Sequence, residues 1–171
     1  MHRDIKPINF AINHKERQLK LFDFGLGEYY FPDYDYNLSV GTLYFKSPEL
    51  FVGVHTYHYS FDIWGIGVVM AGMLFRKDPF FKAKDDFKVL KKIASYLGTE
   101  DLYKYEKRYN ASLEDEEMEE MYMYDFEKVP WEDLINKENE HLISRDGLDL
   151  LRQMLVYDHN ERIAARDAME H

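Results

Sequence analysis

The sequence predicts a mainly α fold (α+β) with a short β-hairpin near its start. Three observations carry this reading. The stretch from Ser60 to Phe75 is apolar nearly all round and opens on a serine suited to an N-cap, as expected of a buried helix. Asp85 to Leu97 and Arg145 to Val156 place apolar residues on one helical face. Phe10-Ala11-Ile12 and Leu19-Lys20-Leu21-Phe22 are short apolar runs around the polar turn His14-Lys15-Glu16-Arg17, the pattern of a hairpin.

Composition supports a packed domain. Of 171 residues, 46% are hydrophobic and 16% aromatic, which excludes a disordered chain. The net charge of −10 disfavours nonspecific nucleic-acid binding. There is no cysteine, hence no disulfide framework, zinc-thiolate site or cysteine nucleophile. The longest apolar run, Ile63 to Phe75, is too short to span a bilayer, so no membrane association is expected.

The remaining elements follow in order. Leu26 to Lys46 lacks periodicity and reads as a long surface loop. Gly98 is a C-terminal stop for the helix ending at Leu97. Glu100 to Tyr109 is a further short helix, and Glu114 to Glu120 is the solvated face of an acidic one. Ala164 opens a last helix.

The chemistry sits at the beginning. His2-Arg3-Asp4-Ile5-Lys6-Pro7-Ile8-Asn9 places an acid, a lysine and an asparagine in a segment that its proline keeps out of helix. Asp23-Phe24-Gly25 follows, then Ser47-Pro48-Glu49, and then Asp62-Ile63-Trp64-Gly65-Ile66-Gly67. A hairpin between the first two motifs would carry Asn9 and Asp23 at adjacent strand ends. Their oxygens would then face a gap suited to Mg²⁺, which takes few carboxylate and amide ligands beside phosphates and water.

These motifs resemble those of protein kinases: H-R-D-x-x-x-x-N, D-F-G, A-P-E and D-x-W-x-x-G, in that order. The resemblance implies the large C-terminal lobe of the kinase fold, with the hairpin beside the catalytic loop. It implies Asp4 as the catalytic base, Lys6 on the transferred phosphate, Thr42 as their contact in Gly41-Thr42, and Asn9 and Asp23 on Mg²⁺ and ATP. His2, Arg3, Phe24 and Gly25 take structural roles, Asp62 braces the catalytic loop, and Arg162 pairs with Glu49. Lys6 with Thr42 points to serine and threonine rather than tyrosine substrates.

Longer strings resemble the casein kinase 2 alpha (catalytic) subunit family. They are Tyr44-Phe45-Lys46-Ser47-Pro48-Glu49-Leu50, Phe75-Arg76-Lys77-Asp78-Pro79-Phe80-Phe81, Leu97-Gly98-Thr99-Glu100-Asp101-Leu102-Tyr103 and Tyr157-Asp158-His159-Asn160-Glu161-Arg162. The resemblance implies a serine/threonine protein kinase acting on protein substrates, cytoplasmic and/or nuclear, with a regulatory beta subunit as partner in a full-length form. Lys46 would bind substrate. The chain departs from that family at Phe24, where a tryptophan is usual. It departs also at Ser39 and Leu43, where two arginines fall, and at Ala164, where a threonine cap falls. Residues 1–171 contain no Gly-rich loop, strand lysine or hinge, so the expectation is a partial kinase domain from the catalytic loop onward. Such a lobe by itself is expected to have little or no activity. The alternative is a naturally truncated, non-catalytic binding or decoy module.

Overall fold

The computed structural model describes residues 1–111, 113 and 115–171. A single helical turn, Pro7–Asn9, leads into strand β1, Phe10–Asn13, which pairs antiparallel with β2, Gln18–Leu21. Phe10 lies opposite Leu21 and Asn13 opposite Gln18. The strands are one residue out of the predicted register of ends: β1 gains Asn13, and Phe22 falls outside β2. Helices follow as α1 (Pro48–Phe51), α2 (Ser60–Phe75), α3 (Asp86–Leu97), α4 (Thr99–Tyr109), α5 (Asp115–Tyr122), α6 (Arg145–Met154) and α7 (Ala165–Glu170). None of the described helices is long and apolar enough to cross a membrane.

Helix α2 is the centre. Its Trp64, Val68, Ala71 and Phe75 are buried against Phe81, Leu90, Ile93 and Leu97 around α3, and against Leu148 and Leu151 of α6. Burial of each large apolar side chain contributes about 1.5–3 kcal/mol. A smaller core of Tyr36, Val40, Leu50, Tyr57 and Phe61 lies under the segment that follows Gly25. Two glycines of α2 set how closely its neighbours approach. A Cβ on Gly65 would come within 2.8 Å of the Ile5 side chain, and one on Gly67 within 2.8 Å of Leu155. The segment around Ile5 and the end of α6 therefore rest directly on the α2 backbone.

Several boundaries differ from the sequence reading. Ser60 is not the cap of α2: Tyr59 precedes the helix in helical conformation, and the Ser60 hydroxyl is buried without a partner among the described residues. The Ser60 N–H instead donates to His58 Nδ1. Asp85 caps α3 rather than joining it, accepting from the Lys88 N–H at 2.9 Å. Gly98, at φ 85°, stops α3 and also precedes α4, so one residue serves both helices. The helix at Arg145 ends at Met154, two residues early. In the acidic run Glu114 lies outside the described residues; Glu116 and Glu119 are exposed, whereas Glu120 pairs with Lys91 and Met121 is buried. The helix Asp115–Tyr122 packs through Met121 and pairs through Glu120. Ala164 stands at the N-cap of α7 with no side-chain bond to offer.

Ser47 is fully buried and its hydroxyl has no hydrogen-bond partner among the described residues. A lone buried hydroxyl costs about 1 kcal/mol or more. Ser47→Ala is therefore expected to raise stability by about 1 kcal/mol, read as a higher urea midpoint at constant slope. A drop in midpoint would show that the hydroxyl is satisfied in solution.

Candidate active site

The site is built on the loop that enters β1. Asp62, in the first turn of α2, accepts the backbone N–H of His2 at 2.7 Å and of Arg3 at 2.8 Å. Two charge-assisted bonds to consecutive amides fix the loop where Arg3 takes a positive φ of 65°. His2 Nδ1 lies 3.2 Å from the Asp4 N–H and must accept from it. That assigns the proton to Nε2, which donates to the Phe22 carbonyl at 3.0 Å. The imidazole thus ties the loop to the end of the hairpin.

Asp4, Lys6 and Thr42 form a closed triangle. Lys6 Nζ is 2.6 Å from Asp4 Oδ2 and donates to Thr42 Oγ1 at 2.8 Å. The Thr42 hydroxyl donates to Asp4 Oδ1 at 2.7 Å. Asn9 Nδ2 adds bonds to the Asp4 carbonyl and to Oδ2. Burial pushes the Asp4 carboxyl up, but the Lys6 ammonium and the hydrogen bonds from Lys6, Thr42 and Asn9 outweigh it and hold it below its ordinary value. Asp4 is an ionised, oriented acceptor at neutral pH.

Asn9 and Asp23 come to the same end of the hairpin. The Phe22 N–H donates to the Asn9 carbonyl at 3.0 Å, which sets Asp23 one residue past the Asn9 rung. Asp23 has a left-handed backbone, φ 64°, and one carboxylate oxygen accepts from the Gly25 N–H. The Asn9 side-chain Nδ2 is turned to Asp4, which leaves Asn9 Oδ1 as an acceptor directed elsewhere. Among the described residues no three His, Cys, Asp or Glu side chains could hold a metal alone. One carboxylate and one amide oxygen fit Mg²⁺ as it binds beside phosphates, and they do not fit a metal caged by protein ligands.

A protein kinase domain family matches residues 1–171. The chain belongs to the protein kinases. The kinase motifs of the sequence are thus assembled as one constellation: Asp4, Lys6 and Thr42 in contact, Asn9 against Asp4, and Asp23 adjacent along the hairpin. Glu49 and Arg162 meet in a buried pair with both nitrogen–oxygen bonds formed, at 2.8 and 2.6 Å. Phe24 is largely exposed and touches the His2 ring edge-on, with centroids 4.8 Å apart. A Cβ on Gly25 would meet the Asp23 carboxylate at 3.2 Å. Lys46 stands apart from the triangle, its Nζ on both carboxylate oxygens of Asp86.

The sequence reading missed Tyr57 as a partner of Arg3. Tyr57 is fully buried, accepts from Arg3 and donates to the Asn37 carbonyl at 2.7 Å. Arg3 Nε also donates to the Leu26 carbonyl at 2.8 Å. Together Arg3 and Tyr57 clamp the loop of residues 2–9 to the segment that follows Gly25. Nothing in the pattern around Tyr57 marks it, because the contact spans 54 residues.

Proposed function

We propose that this kinase chain transfers the γ-phosphate of ATP to serine and threonine hydroxyls of proteins, as a large lobe of the casein kinase 2 type completed by a small lobe. The observation that carries the reading is the Asp4–Lys6–Thr42 triangle. Asp4 is placed to accept the proton of an incoming hydroxyl, and its ionised state suits that role. Lys6 lies between the base and Thr42, where its ammonium would steady the transferred phosphate. Asn9 and Asp23 would hold Mg²⁺, which with bound ATP supplies the phosphoryl group and the cation that neutralises it. A binding module or decoy has no use for an acid held ionised by three neighbours.

Support for a covering small lobe comes from the hairpin face. Ile8, Ile12, Leu19, Phe22 and Phe24 are all exposed there, and Ile8 keeps 74% of its surface. A run of large apolar side chains at one edge marks a docking surface.

The test is phosphate incorporation by the natural protein into three peptides differing only in a central Ser, Thr or Tyr. Incorporation into the Ser and Thr peptides, with a loss of about 100-fold in Asp4→Asn, is expected. Equal incorporation into the Tyr peptide, or an unaffected Asp4→Asn variant, would overturn the assignment.

A further inference from the structure

We infer that Asp86 sets the substrate class of this site by neutralising Lys46, so that the enzyme selects Ser/Thr peptides flanked by Arg or Lys rather than by Asp or Glu. The inference rests on the reading of Asp4 as the transfer base. Between Leu26 and Pro48 the only lysine or arginine is Lys46. It follows the helical turn Leu43–Phe45 that begins just after Thr42, and its stem passes within 3.9 Å of where a Gly41 Cβ would lie. It is thus the one cation of that segment close enough to read a substrate's flank.

Its charge is already matched. Lys46 Nζ donates to Asp86 at 2.8 and 3.1 Å, so both carboxylate oxygens are engaged. Asp86 lies in the first turn of α3, where the helix dipole favours a negative charge. Asp85 beside it caps the helix and pairs with Lys88, so it does not compete for Lys46. An acidic peptide would have to displace Asp86 from Lys46 and then face its charge. A basic peptide meets the exposed carboxylate of Asp86, which covers the largely buried Lys46 side chain.

The experiment measures binding without nucleotide, so its outcome is separate from that of phosphate transfer. Fluorescence anisotropy at low salt follows three labelled Ser peptides, flanked by Arg, by Gln or by Asp, on the natural protein. The expected order of affinity is Arg over Gln over Asp. Asp86→Asn should strengthen binding of the Asp-flanked peptide about fivefold and weaken that of the Arg-flanked one, with the Gln peptide unchanged. Asp133→Asn removes the same charge beside Trp131, which stacks on Tyr96 in the last turn of α3, and should leave the order and ratios as they were. Tightest binding of the Asp-flanked peptide, no binding of any peptide, or equal effects of the two variants would overturn the inference. Correct binding with no phosphate incorporation would instead count against the transfer reading.

Discussion

Arg162→Ala is expected to destabilise the fold by about 3–5 kcal/mol, because it strands the Glu49 carboxylate in the interior. Neither side chain of the pair is exposed at all. The guanidinium is fully committed: two bonds to Glu49, one from Nε to the Val156 carbonyl at 2.7 Å, and others to the Ser60 and Tyr157 carbonyls. It also lies over the Trp64 ring at 5.0 Å. Burial pushes Glu49 up, yet the charge and hydrogen bonds of Arg162 hold it below its ordinary value. Glu49→Ala should cost as much, since it strands the cation instead. The double variant should cost far less than the sum of the two, because no lone charge remains. Urea unfolding of the three variants measures this, and additive losses would refute the coupling. The pair also has a functional consequence. Glu49 sits in α1, directly after the segment carrying Thr42 and Lys46, and Arg162 lies near the far end of the chain. Loosening the pair frees that segment from α2, so substrate affinity should fall even where the variant stays folded.

That pair was legible in the sequence, and so were the contacts between Asp4, Lys6 and Thr42, because kinase motifs mark residues whose partners are themselves in motifs. Lys6 meets Thr42, Asp62 meets the His2 and Arg3 amides, and Glu49 meets Arg162, as the motifs imply, whereas Asn9, read as facing Asp23, lies against Asp4. The helices were legible for a different reason: α3 and α6 each bury one continuous apolar face, which periodicity reports, and α2 is apolar nearly all round. Caps were read less well. Ser60 has the right side chain for an N-cap, but His58 Nδ1 already takes its N–H and the chain enters α2 in helical conformation, which leaves no amide for the hydroxyl. The Tyr57 clamp and the Lys46–Asp86 pair were not legible, since each joins residues on separate elements that no local pattern relates.

Glu106 is the other residue where sequence and structure part, and it predicts an inverted pH response. On the amphipathic helix α4 its position reads as one more charge, yet it is buried with Leu102 and Tyr105, and neither carboxyl oxygen has a hydrogen-bond partner among the described residues. Burial pushes its pKa up to about 7. An acid whose folded pKa is raised stabilises the fold fully below its unfolded value, and that stability is lost as pH rises through about 7. His159 runs the opposite way. Burial, with repulsion from Arg162 and His58, lowers it to about 4, so its contribution is present above its unfolded value of 6.5 and is lost as pH falls toward 4. Between roughly pH 4.5 and 6.5 the native chain keeps the Glu106 proton while the unfolded chain keeps the His159 proton, and the two slopes cancel. Stability should therefore be flat across that window and fall above it. Glu106→Leu removes one side of the balance. The variant should gain about 3 kcal/mol more over the parent at pH 8 than at pH 5, and its stability should decline on acidification by about 1.4 kcal/mol per pH unit across the same window. Urea midpoints at pH 5, 6.5 and 8 measure both. An equal gain at pH 5 and pH 8 would mean that the leucine only adds apolar contact and that Glu106 is ionised and satisfied in the folded chain.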